Sequence, residues 1–432
     1  MRDSFALSLK GQAMTNRNIL ILGAGSAGTM MANHLRNKLS RDEWNITIVD
    51  EAETHYYQPG FLFLPFGIYD EHEIQKPIKK FMPHDVQLIQ STIDKVEPES
   101  NLVFLTDGSA LHYDILIIAS GCSIAPEEVP GMKDALWYKD IFDFYSFDGA
   151  KALHDKLENW PGGKLVIHIT EMPIKCPVAP LEFAFLADDF FRHKGIREKV
   201  DITYVTPLGG AFTKPFASQK LGHLIEEKQI NLVTDFYVEH IDNATKKLHD
   251  YGGQEVAFDL LVTVPLNKGA AFVGRSGFGD ELNYVPTDKF TLQTTIKDNI
   301  FAIGDATSLP ASKAGSVAHF ESEILTENIL HFIKGEPLQA KFDGHANCFV
   351  ETGNHKAILI DFNYDHEPVD GTFPFNGVGP MSLMEESFTN HMGKLGFKWI
   401  YWNVLMKGRT IPFITPTMSL GGKHLEHEQL NK

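Results

Sequence analysis

Short, continuous apolar runs alternate with helix-period segments along much of the chain. Such runs are typical of parallel strands buried on both faces, with helices connecting them. Strands are predicted at residues 18–22, 45–49, 113–120, 164–169, 201–205 and 299–303. Helical patterns follow the first strand through about Leu39 and cover residues 181–192. The alternation predicts an α/β fold with parallel sheets.

A glycine-rich turn directly follows the first predicted strand. Gly23, Gly25 and Gly28 stand in a GAGSAG sequence that opens the first helix, and the second strand ends at Asp50. Strand, turn, helix, strand and acid together form a dinucleotide-binding fingerprint, with the pyrophosphate at the helix N-terminus and ribose hydroxyls on the acid. The residues assigned to this site are Gly23, Gly25, Ser26, Ala27, Gly28, Asp50 and Glu51.

A second strand-and-turn signal selects the dinucleotide. The strand 299–303 leads into Gly304 and Asp305, whose carboxylate is placed to accept hydrogen bonds from a ribityl chain. The strand 113–120 is followed by Gly121, a further candidate contact. These signals together predict FAD, not NAD, in the first site.

A second nucleotide fold is predicted without its nucleotide site. The strand 164–169 leads into residues 170–177, which contain two prolines and no glycine. The strand 201–205 ends without an acidic residue for a ribose. In a turn without glycine, side chains keep the backbone from approaching a pyrophosphate closely. We therefore expect that the electron donor is not a nicotinamide.

A cysteine occupies the place of the missing glycine turn. Cys176 precedes a predicted helix, where a thiolate is stabilised and its pKa is lowered, and Lys175 adds positive charge. The alternative is a small buried hydrophobic residue. Glu182, six residues further on, is either an ordinary acid in a first helical turn or a general acid or base beside the thiol.

Composition narrows the class of protein. Apolar residues make up 43% of the 432 residues, and 39 basic against 56 acidic residues give a formal charge of −17. This balance argues against a nucleic-acid-binding protein. Three cysteines exclude a disulfide scaffold, and no histidine or cysteine spacing suggests a metal site. Residues 1–15 lack the features of a secretory signal, and no apolar run is long enough to span a bilayer.

The carboxy-terminal part has a different composition. Residues 387–412 contain no Asp or Glu, four basic residues and many aromatic ones. This pattern predicts an amphipathic helix at a membrane surface, with a core helix carrying charged flanks as the alternative. The apolar residues 61–69 either share this contact or form a core strand and turn.

Taken together, these segments resemble the sulfide:quinone oxidoreductases, flavoproteins with two dinucleotide-binding domains of the disulfide reductase type. The resemblance extends over roughly residues 17–410. Its carriers are the GAGSAG turn, the HYYQPG sequence at 55–60, the ASGC sequence at 119–122, the Cys176 turn, Gly304-Asp305, Lys313, Cys348-Phe349 and the KLGF sequence at 394–397. It implies FAD as cofactor, oxidation of hydrosulfide to zero-valent sulfur or polysulfide, and reduction of a membrane quinone.

The resemblance also implies residue roles. Cys176 and Cys348 are expected to form the redox pair, and Cys122 is the third family cysteine. Glu182 matches a family acid, which favours its catalytic role. Phe349 and Phe397 are expected to hold the quinone ring, and Lys313 and Lys394 to lie near the flavin ring. The Cys176 turn departs from the glycine-rich version of many members, family histidines proposed to carry protons have no counterpart, and His168 is interpreted as a core strand residue.

The predicted organisation has five parts. These are an amino-terminal extension at 1–15, FAD-binding halves at 16–150 and 286–335, a degenerate NAD-type domain at 151–285 and a quinone and membrane-contact region at 336–432. We expect a peripheral protein on the cytoplasmic face of a membrane and leave a homo-oligomer open. The alternatives are a type II NADH:quinone oxidoreductase, the FAD subunit of a flavocytochrome sulfide dehydrogenase, and a redox-inactive signalling protein with an FAD fold.

Overall fold

The structure, a computed structural model, describes residues 16–425. The predicted extension at 1–15 lies outside the described residues. The helices are α1 (Ser26–Lys38), α2 (Phe147–Asn159), α3 (Ala179–His193), α4 (Pro215–Glu227), α5 (Ala271–Arg275), α6 (Gly315–Lys334) and α7 (Phe388–Asn403).

The strands of the amino-terminal part are β1 (Arg17–Leu22), β2 (Trp44–Asp50), β3 (Thr54–Tyr56), β4 (Gln75–Pro77), β5 (Val86–Gln90), β6 (Ile93–Glu97), β7 (Leu102–Leu105), β8 (Ala110–His112), β9 (Ile115–Ile118), β10 (Cys122–Ile124) and β11 (Ile141–Phe142). Those that follow are β12 (Gly163–Ile169), β13 (Val200–Val205), β14 (Asn231–Val233), β15 (Val238–Asp242), β16 (Lys247–Asp250), β17 (Glu255–Ala257), β18 (Leu260–Val264), β19 (Asn267–Gly269), β20 (Ile300–Ala302), β21 (Ala346–Gly353), β22 (Lys356–Phe362), β23 (Gly371–Phe375), β24 (Gly379–Leu383) and β25 (Glu386–Ser387).

The first parallel sheet gathers four of the predicted strands. Its order is β20-β9-β1-β2-β5, and every neighbouring pair is parallel. The turns after β1, β9 and β20 and the end of β2 therefore lie at one carboxyl edge, where α/β folds bind their ligands. Two distant segments of the chain meet there because β20 pairs with β9.

The second parallel sheet has the order β11-β18-β12-β13-β14. It contains the two predicted strands of the degenerate nucleotide domain, and α3 covers residues 181–192 as predicted. His168 on β12 is fully buried, and its Nδ1 lies 2.9 Å from the Thr263 hydroxyl, so its interpretation as a core residue is confirmed. The α/β class with two parallel sheets is also confirmed.

The carboxy-terminal part is built on a third sheet. Its strands run in the order β21-β22-β24-β23, with β25 paired to β22, and α7 packs against β21 and β22. The sequence predicted only a short strand around Cys348, because pairing between strands far apart in the chain leaves little local signal.

Residues 61–69 form tight helical turns in the core instead of a strand or a membrane loop. Gln58–Leu62 and Leu64–Phe66 are short 3₁₀ helices. The side chains of residues 61–64 and of Tyr69 are buried, and Ile68 is the exposed large hydrophobic residue of this segment. The prediction that this segment shares the membrane contact is therefore wrong, and so is the strand in its core alternative.

Candidate active site

One cleft at the carboxyl edge of the first sheet brings together residues from the whole chain. It encloses about 1750 Å³, including the space at its open mouth. The predicted site residues that line it are Gly23, Gly25, Ser26, Ala27, Asp50, Gly121, Cys122, Cys176, Glu182, Gly304, Asp305, Lys313, Cys348, Phe349, Lys394 and Phe397. Gly28 lies behind the wall, where a Cβ would stand 1.8 Å from the Gly23 carbonyl oxygen. Glu51 is exposed outside the cleft and accepts a hydrogen bond from the Thr92 hydroxyl at 2.8 Å.

The glycine turn after β1 has the shape that a dinucleotide needs. Gly23 has a φ of +106°, and a Cβ there would lie 2.5 Å from the Ala119 carbonyl oxygen. A Cβ on Gly25 would meet no described atom within 4 Å, so the turn faces open space where a pyrophosphate would bind. Asp50 accepts a hydrogen bond from the Ala24 N–H at 2.5 Å, which fixes its carboxylate at the turn.

A second observation supports a polar ligand at this edge. Within residues 16–425 the buried Ser120 hydroxyl, next to Gly121, has no hydrogen-bond partner. A buried hydroxyl is costly when unpaired, which favours a ligand that pairs with it. The residues present therefore fit FAD.

Tyr401 of α7 joins the carboxy-terminal helix to this turn. Its hydroxyl lies 2.6 Å from Ser26 Oγ and 2.6 Å from His55 Nε2. Burial lowers the pKa of His55 to about 4, so the ring is neutral, and its Nδ1–H donates to the Ala24 carbonyl at 3.3 Å. Tyr401 therefore donates to His55 and accepts from Ser26.

Lys313 is buried beside the second FAD signal. Its ammonium donates to the carbonyl oxygens of Asp305 and Thr307 at 3.0 and 2.7 Å and lies 4.1 Å from the Tyr284 ring centroid. These contacts hold a positive charge at the wall of the cleft, which would stabilise an anionic reduced cofactor.

Cys176 lies on the loop between β12 and α3 in a left-handed conformation, with a φ of +43°. Its N–H donates to the Lys313 carbonyl at 2.7 Å. Burial, with Glu182 adding to it, raises the pKa of the Cys176 thiol to about 12. The predicted lowering of this pKa is therefore wrong, because α3 begins only at Ala179 and desolvation outweighs the charge of Lys394.

The other two cysteines enter the cleft from different sheets. Cys348 lies on β21, and burial and then the neighbouring Cys176 raise the pKa of its thiol. Cys122 lies on β10 opposite Gly269, and burial raises the pKa of its thiol to about 12. All three are free thiols in the structure, so a bridge between Cys176 and Cys348 stays a prediction.

Glu182 and Lys394 form a buried ion pair at the cleft wall. Glu182 Oε1 accepts hydrogen bonds from the Lys394 ammonium at 2.6 Å and from the Glu351 N–H at 2.8 Å. Its second oxygen is buried without a partner among the described residues. Burial opposes the charge on Lys394, but the Glu182 carboxylate and Cys176 hold the pKa of Lys394 above its usual value.

The two predicted quinone residues line the same cleft from β21 and α7. Phe349 directly follows Cys348, and its carbonyl oxygen accepts from the Lys394 ammonium at 2.8 Å. A Cβ on Gly393 would lie 2.8 Å from the Phe349 ring, so α7 packs closely on this ring. Phe397 is one helical turn beyond Gly393.

The loop at residues 170–178, where the sequence predicts that the nicotinamide site is lost, is tied to neighbouring segments by hydrogen bonds. The Lys175 N–H donates to Asn267 Oδ1 at 3.1 Å, and the Cys176 N–H is taken by Lys313. These two backbone donors are thus bonded to the protein and are not available to a pyrophosphate.

Several residues of the site were not assigned from the sequence. Tyr57, Phe144 and Tyr145 also line the cleft, and the Tyr145 hydroxyl donates to the Cys176 carbonyl at 3.2 Å. His55 and Tyr57 belong to the HYYQPG sequence, which was noted without a role. Tyr401 lies in the segment that was assigned to the membrane surface, and nothing in the sequence indicated that its side chain points into the protein.

The sequence of this chain is similar to those of known oxidoreductases. Residues 17–168 match the family described as pyridine nucleotide-disulphide oxidoreductase. The mitochondrial sulfide:quinone oxidoreductase of Dictyostelium discoideum is 29% identical over 396 residues, covering 90% of this chain and 86% of that protein. The mitochondrial sulfide:quinone oxidoreductase of Mus musculus is 27% identical over 403 residues, covering 92% and 88%.

A solved structure agrees in fold. The sulfide:quinone oxidoreductase of the hyperthermophilic bacterium Aquifex aeolicus superposes with a TM-score of 0.75 at 20% identity, covering 91% of this chain and 92% of that one. The family and these relatives imply FAD, as the sequence predicted. The chain is thus a homologue of the sulfide:quinone oxidoreductases, and the resemblance predicted from its sequence is confirmed.

Proposed function

We propose that this protein is an FAD-dependent sulfide:quinone oxidoreductase that oxidises hydrosulfide to zero-valent sulfur and reduces a membrane quinone. The observation that supports it most is that Cys122, Cys176 and Cys348 share one cleft with the dinucleotide turn. Relatives named for this activity align along about nine-tenths of the chain.

Sulfur chemistry is assigned to Cys176 and Cys348. Hydrosulfide attacks one sulfur of a bridge between them, the S–S bond breaks, and a persulfide and a thiolate result. When the bridge re-forms, zero-valent sulfur leaves with release of one proton and two electrons. Both thiols have raised pKa values and are poor nucleophiles at neutral pH, which suits a cycle that starts from anionic hydrosulfide.

The cleft also supplies the groups that a flavin needs. When bound, FAD supplies the two-electron acceptor for the sulfur chemistry and the donor for the quinone. Gly23, Gly25 and Asp50 would hold its pyrophosphate and ribose, Asp305 its ribityl chain, and Lys313 the ring. Phe349 and Phe397 would hold the quinone ring, with the Glu182–Lys394 pair beside it. Cys122 is proposed to handle sulfur or to tether the cofactor.

The alternatives fit the site less well. A type II NADH:quinone oxidoreductase needs a nicotinamide turn, whereas residues 170–177 contain no glycine and the N–H groups of Lys175 and Cys176 are already bonded to the protein. A flavocytochrome subunit would share the cysteines but needs a cytochrome partner. A redox-inactive protein would have no use for two cysteines on one cleft.

Anaerobic flavin spectra test this proposal. Sulfide should bleach the oxidised flavin, a soluble quinone analogue should restore it, and NADH should do neither. Cys176→Ala and Cys348→Ala should each lose sulfide-dependent bleaching, while flavin content stays near that of the wild type. Full bleaching in both variants, or bleaching by NADH alone, would contradict the proposal.

We also propose peripheral attachment to a membrane through α7; the cytoplasmic face stays a prediction. Among residues 16–425 no helix is long and apolar enough to cross a bilayer. Phe388, Met392 and Trp399 are 61, 49 and 65% exposed and lie on one face of the helix. A cluster of lysines lies near the carboxy-terminal end of this helix: besides burial, Lys80, Lys398 and Lys407 each lower the pKa of Lys76, whose ammonium lies 4.3 Å from the Trp402 ring centroid. Exposed aromatic residues beside clustered lysines are typical of binding to anionic interfaces.

Vesicle binding tests this attachment. Deletion of 387–432 is unsuitable, because Tyr401 and Trp402 belong to the core. The wild type should sediment with anionic vesicles at low salt, and the triple variant Phe388→Ser, Met392→Ser, Trp399→Ser should bind at least tenfold more weakly, since each exposed side chain contributes about 1 kcal/mol or more. The control is Tyr237→Ser with Tyr251→Ser, two exposed aromatic residues that flank β15 and β16, away from α7. Wild type that stays in solution would contradict the attachment.

A further inference from the structure

Quinone reduction needs a proton from outside the site. Oxidation of hydrosulfide to zero-valent sulfur releases one proton and two electrons, while a quinone takes up two of each. One proton per turnover must therefore enter from solvent. The cleft wall that faces the quinone residues is formed by Glu182 and Lys394, both of which are buried.

A second carboxyl–base pair lies directly behind this wall. Glu351 on β21 is 1% exposed, and its carboxylate oxygens lie 2.9 and 3.1 Å from Nδ1 of His391 on α7. His391 is one helical turn before Lys394, so the two bases lie on one face of α7. Glu351 is joined to Glu182 through its N–H, which donates to Glu182 Oε1 at 2.8 Å.

This pair reaches the surface. The side chain of His391 is 12% exposed, whereas those of Glu351 and Glu182 are 2% and 0% exposed. The exposed Phe388 and the ring of His355 flank it, with ring centroids 6.2 and 5.5 Å away. The order from solvent inward is therefore His391, Glu351, and then the Glu182–Lys394 pair at the cleft.

We propose that His391 and Glu351 carry the solvent proton to the Glu182–Lys394 pair for quinone reduction. The inference rests on the proposed function. In each transfer His391 gives its proton to the Glu351 carboxylate and takes another from solvent. Glu351 passes its proton to Oε2 of Glu182, which has no partner among the described residues and gives the proton to the quinone oxygen as electrons arrive. The pair is a transfer route and touches neither the cofactor nor the quinone.

Electrostatics suits Glu351 for this task. The titratable and charged groups that face it are Glu182 and Asp189 of α3, His391 and Lys394 of α7, and Tyr69. Burial raises the pKa of Glu351 to about 8, Lys394 opposes the rise, and Glu182 and Asp189 add to it. A carboxyl group with this pKa holds a proton at neutral pH and releases it readily.

Half-reactions of the full-length, FAD-loaded protein test the relay. Flavin is reduced anaerobically by sulfide in one experiment, and dithionite-reduced flavin is reoxidised by a soluble quinone analogue in the other. In Glu351→Gln, reoxidation should slow about tenfold or more, because proton transfer typically contributes at least that factor. Bleaching by sulfide should change less than about twofold, since no proton enters in that step.

Three further measurements distinguish a role of His391 and Glu351 in proton transfer from a purely structural role. Imidazole should restore reoxidation in His391→Ala but not in Glu351→Gln. The wild-type reoxidation rate should fall as pH rises through about 8, and this inflection should vanish in Glu351→Gln. Infrared difference spectra should show a protonated carboxyl band that titrates over the same range and is absent from Glu351→Gln. Glu323→Gln, a carboxyl paired with His319 on α6, is the matched control and should behave as wild type.

Each contrary outcome is decisive. Wild-type reoxidation in Glu351→Gln, equal slowing of both half-reactions, or failure of imidazole to rescue His391→Ala would overturn the relay. A wild type that sulfide does not bleach would contradict the proposed function instead, and the dithionite-started reoxidation would still decide the relay.

Discussion

Glu321 on α6 is buried beneath the Gly304 turn. It is 1% exposed, and its Oε2 accepts a hydrogen bond from the Gly304 N–H at 2.7 Å. Burial raises the pKa of Glu321 to about 8, well above its unfolded value. The folded protein therefore holds a proton that the unfolded chain has released, and its stability falls as pH rises from about 4.5 to about 8.

We predict that Glu321→Gln makes the stability of the protein depend less on pH. The neutral amide can still accept from Gly304, and no proton is lost at high pH. The free energy of unfolding should exceed that of the wild type by about 1–3 kcal/mol at pH 8.5 and differ little at pH 5, because one pKa unit corresponds to about 1.4 kcal/mol. Denaturant unfolding at both pH values measures it.

Glu327→Gln is the control for this prediction, because Glu327 is exposed on the same helix. It should shift stability equally at both pH values. If Glu321→Gln also shifts stability equally at pH 5 and pH 8.5, Glu321 does not hold a proton in the folded protein and the prediction is wrong.

Residue-scale chemistry could be predicted from sequence only in part. The identity of the three cysteines and of Glu182 was available, because their types and positions resemble a family pattern. The sign of the Cys176 pKa shift was not available, since it depends on how much protein surrounds the thiol. Glu351 and His391 had no signal either, because their pairing joins a strand and a helix across the third sheet.

Helix α7 is an element with two faces and two tasks. Phe388 and Trp399 point outward, whereas Tyr401 and Trp402 are buried against the amino-terminal part. Through Tyr401 the helix shares hydrogen bonds with Ser26 in the dinucleotide turn. Cofactor binding and the position of α7 are therefore linked through one hydroxyl group.

We predict that Tyr401→Phe weakens FAD binding by about tenfold. The change leaves His55 Nε2 buried without its donor and releases Ser26, and an unpaired buried polar group costs about 1–3 kcal/mol. Flavin release during dilution, followed by fluorescence, measures the affinity. Tyr113→Phe is the matched control, because the buried Tyr113 hydroxyl has no partner within residues 16–425. Equal affinity in Tyr401→Phe and wild type would refute the link.

Element boundaries followed the sequence closely where periodicity was strong. The strand predicted at 18–22 is Arg17–Leu22, and the helix predicted at 181–192 is Ala179–His193. Residues 61–69 were the exception, since a short apolar run does not distinguish a strand from buried helical turns. The amphipathic pattern of 387–412 did predict a helix. The pattern alone does not reveal that one apolar face of this helix is exposed and the other is buried in the core.

At the scale of the whole molecule, the cleft is the place where three sheets meet. The first sheet contributes the dinucleotide turns, α3 and its preceding loop contribute Glu182 and Cys176, and the third sheet with α7 contributes Cys348 and Lys394. The two parallel sheets could be predicted from alternating strands and helices, whereas the third sheet could not. The five predicted chain divisions stay a prediction.

A ligand held by all three parts should stabilise them together. We therefore predict that removing FAD lowers the thermal midpoint of the whole protein, and that added FAD restores it in proportion to the logarithm of its concentration. At a hundredfold excess over Kd, the gain in unfolding free energy is about 2.7 kcal/mol if the cofactor binds only the folded state. Calorimetry on apo and loaded protein measures it, and the difference in tryptophan fluorescence between the wild type and Trp402→Phe isolates the signal of Trp402 on α7 from that of the other four tryptophans. If FAD shifted only one of several transitions and left the α7 signal in place, the cofactor would be held by the first sheet alone, and the chemistry assigned to Cys348 and Lys394 would lose its structural basis.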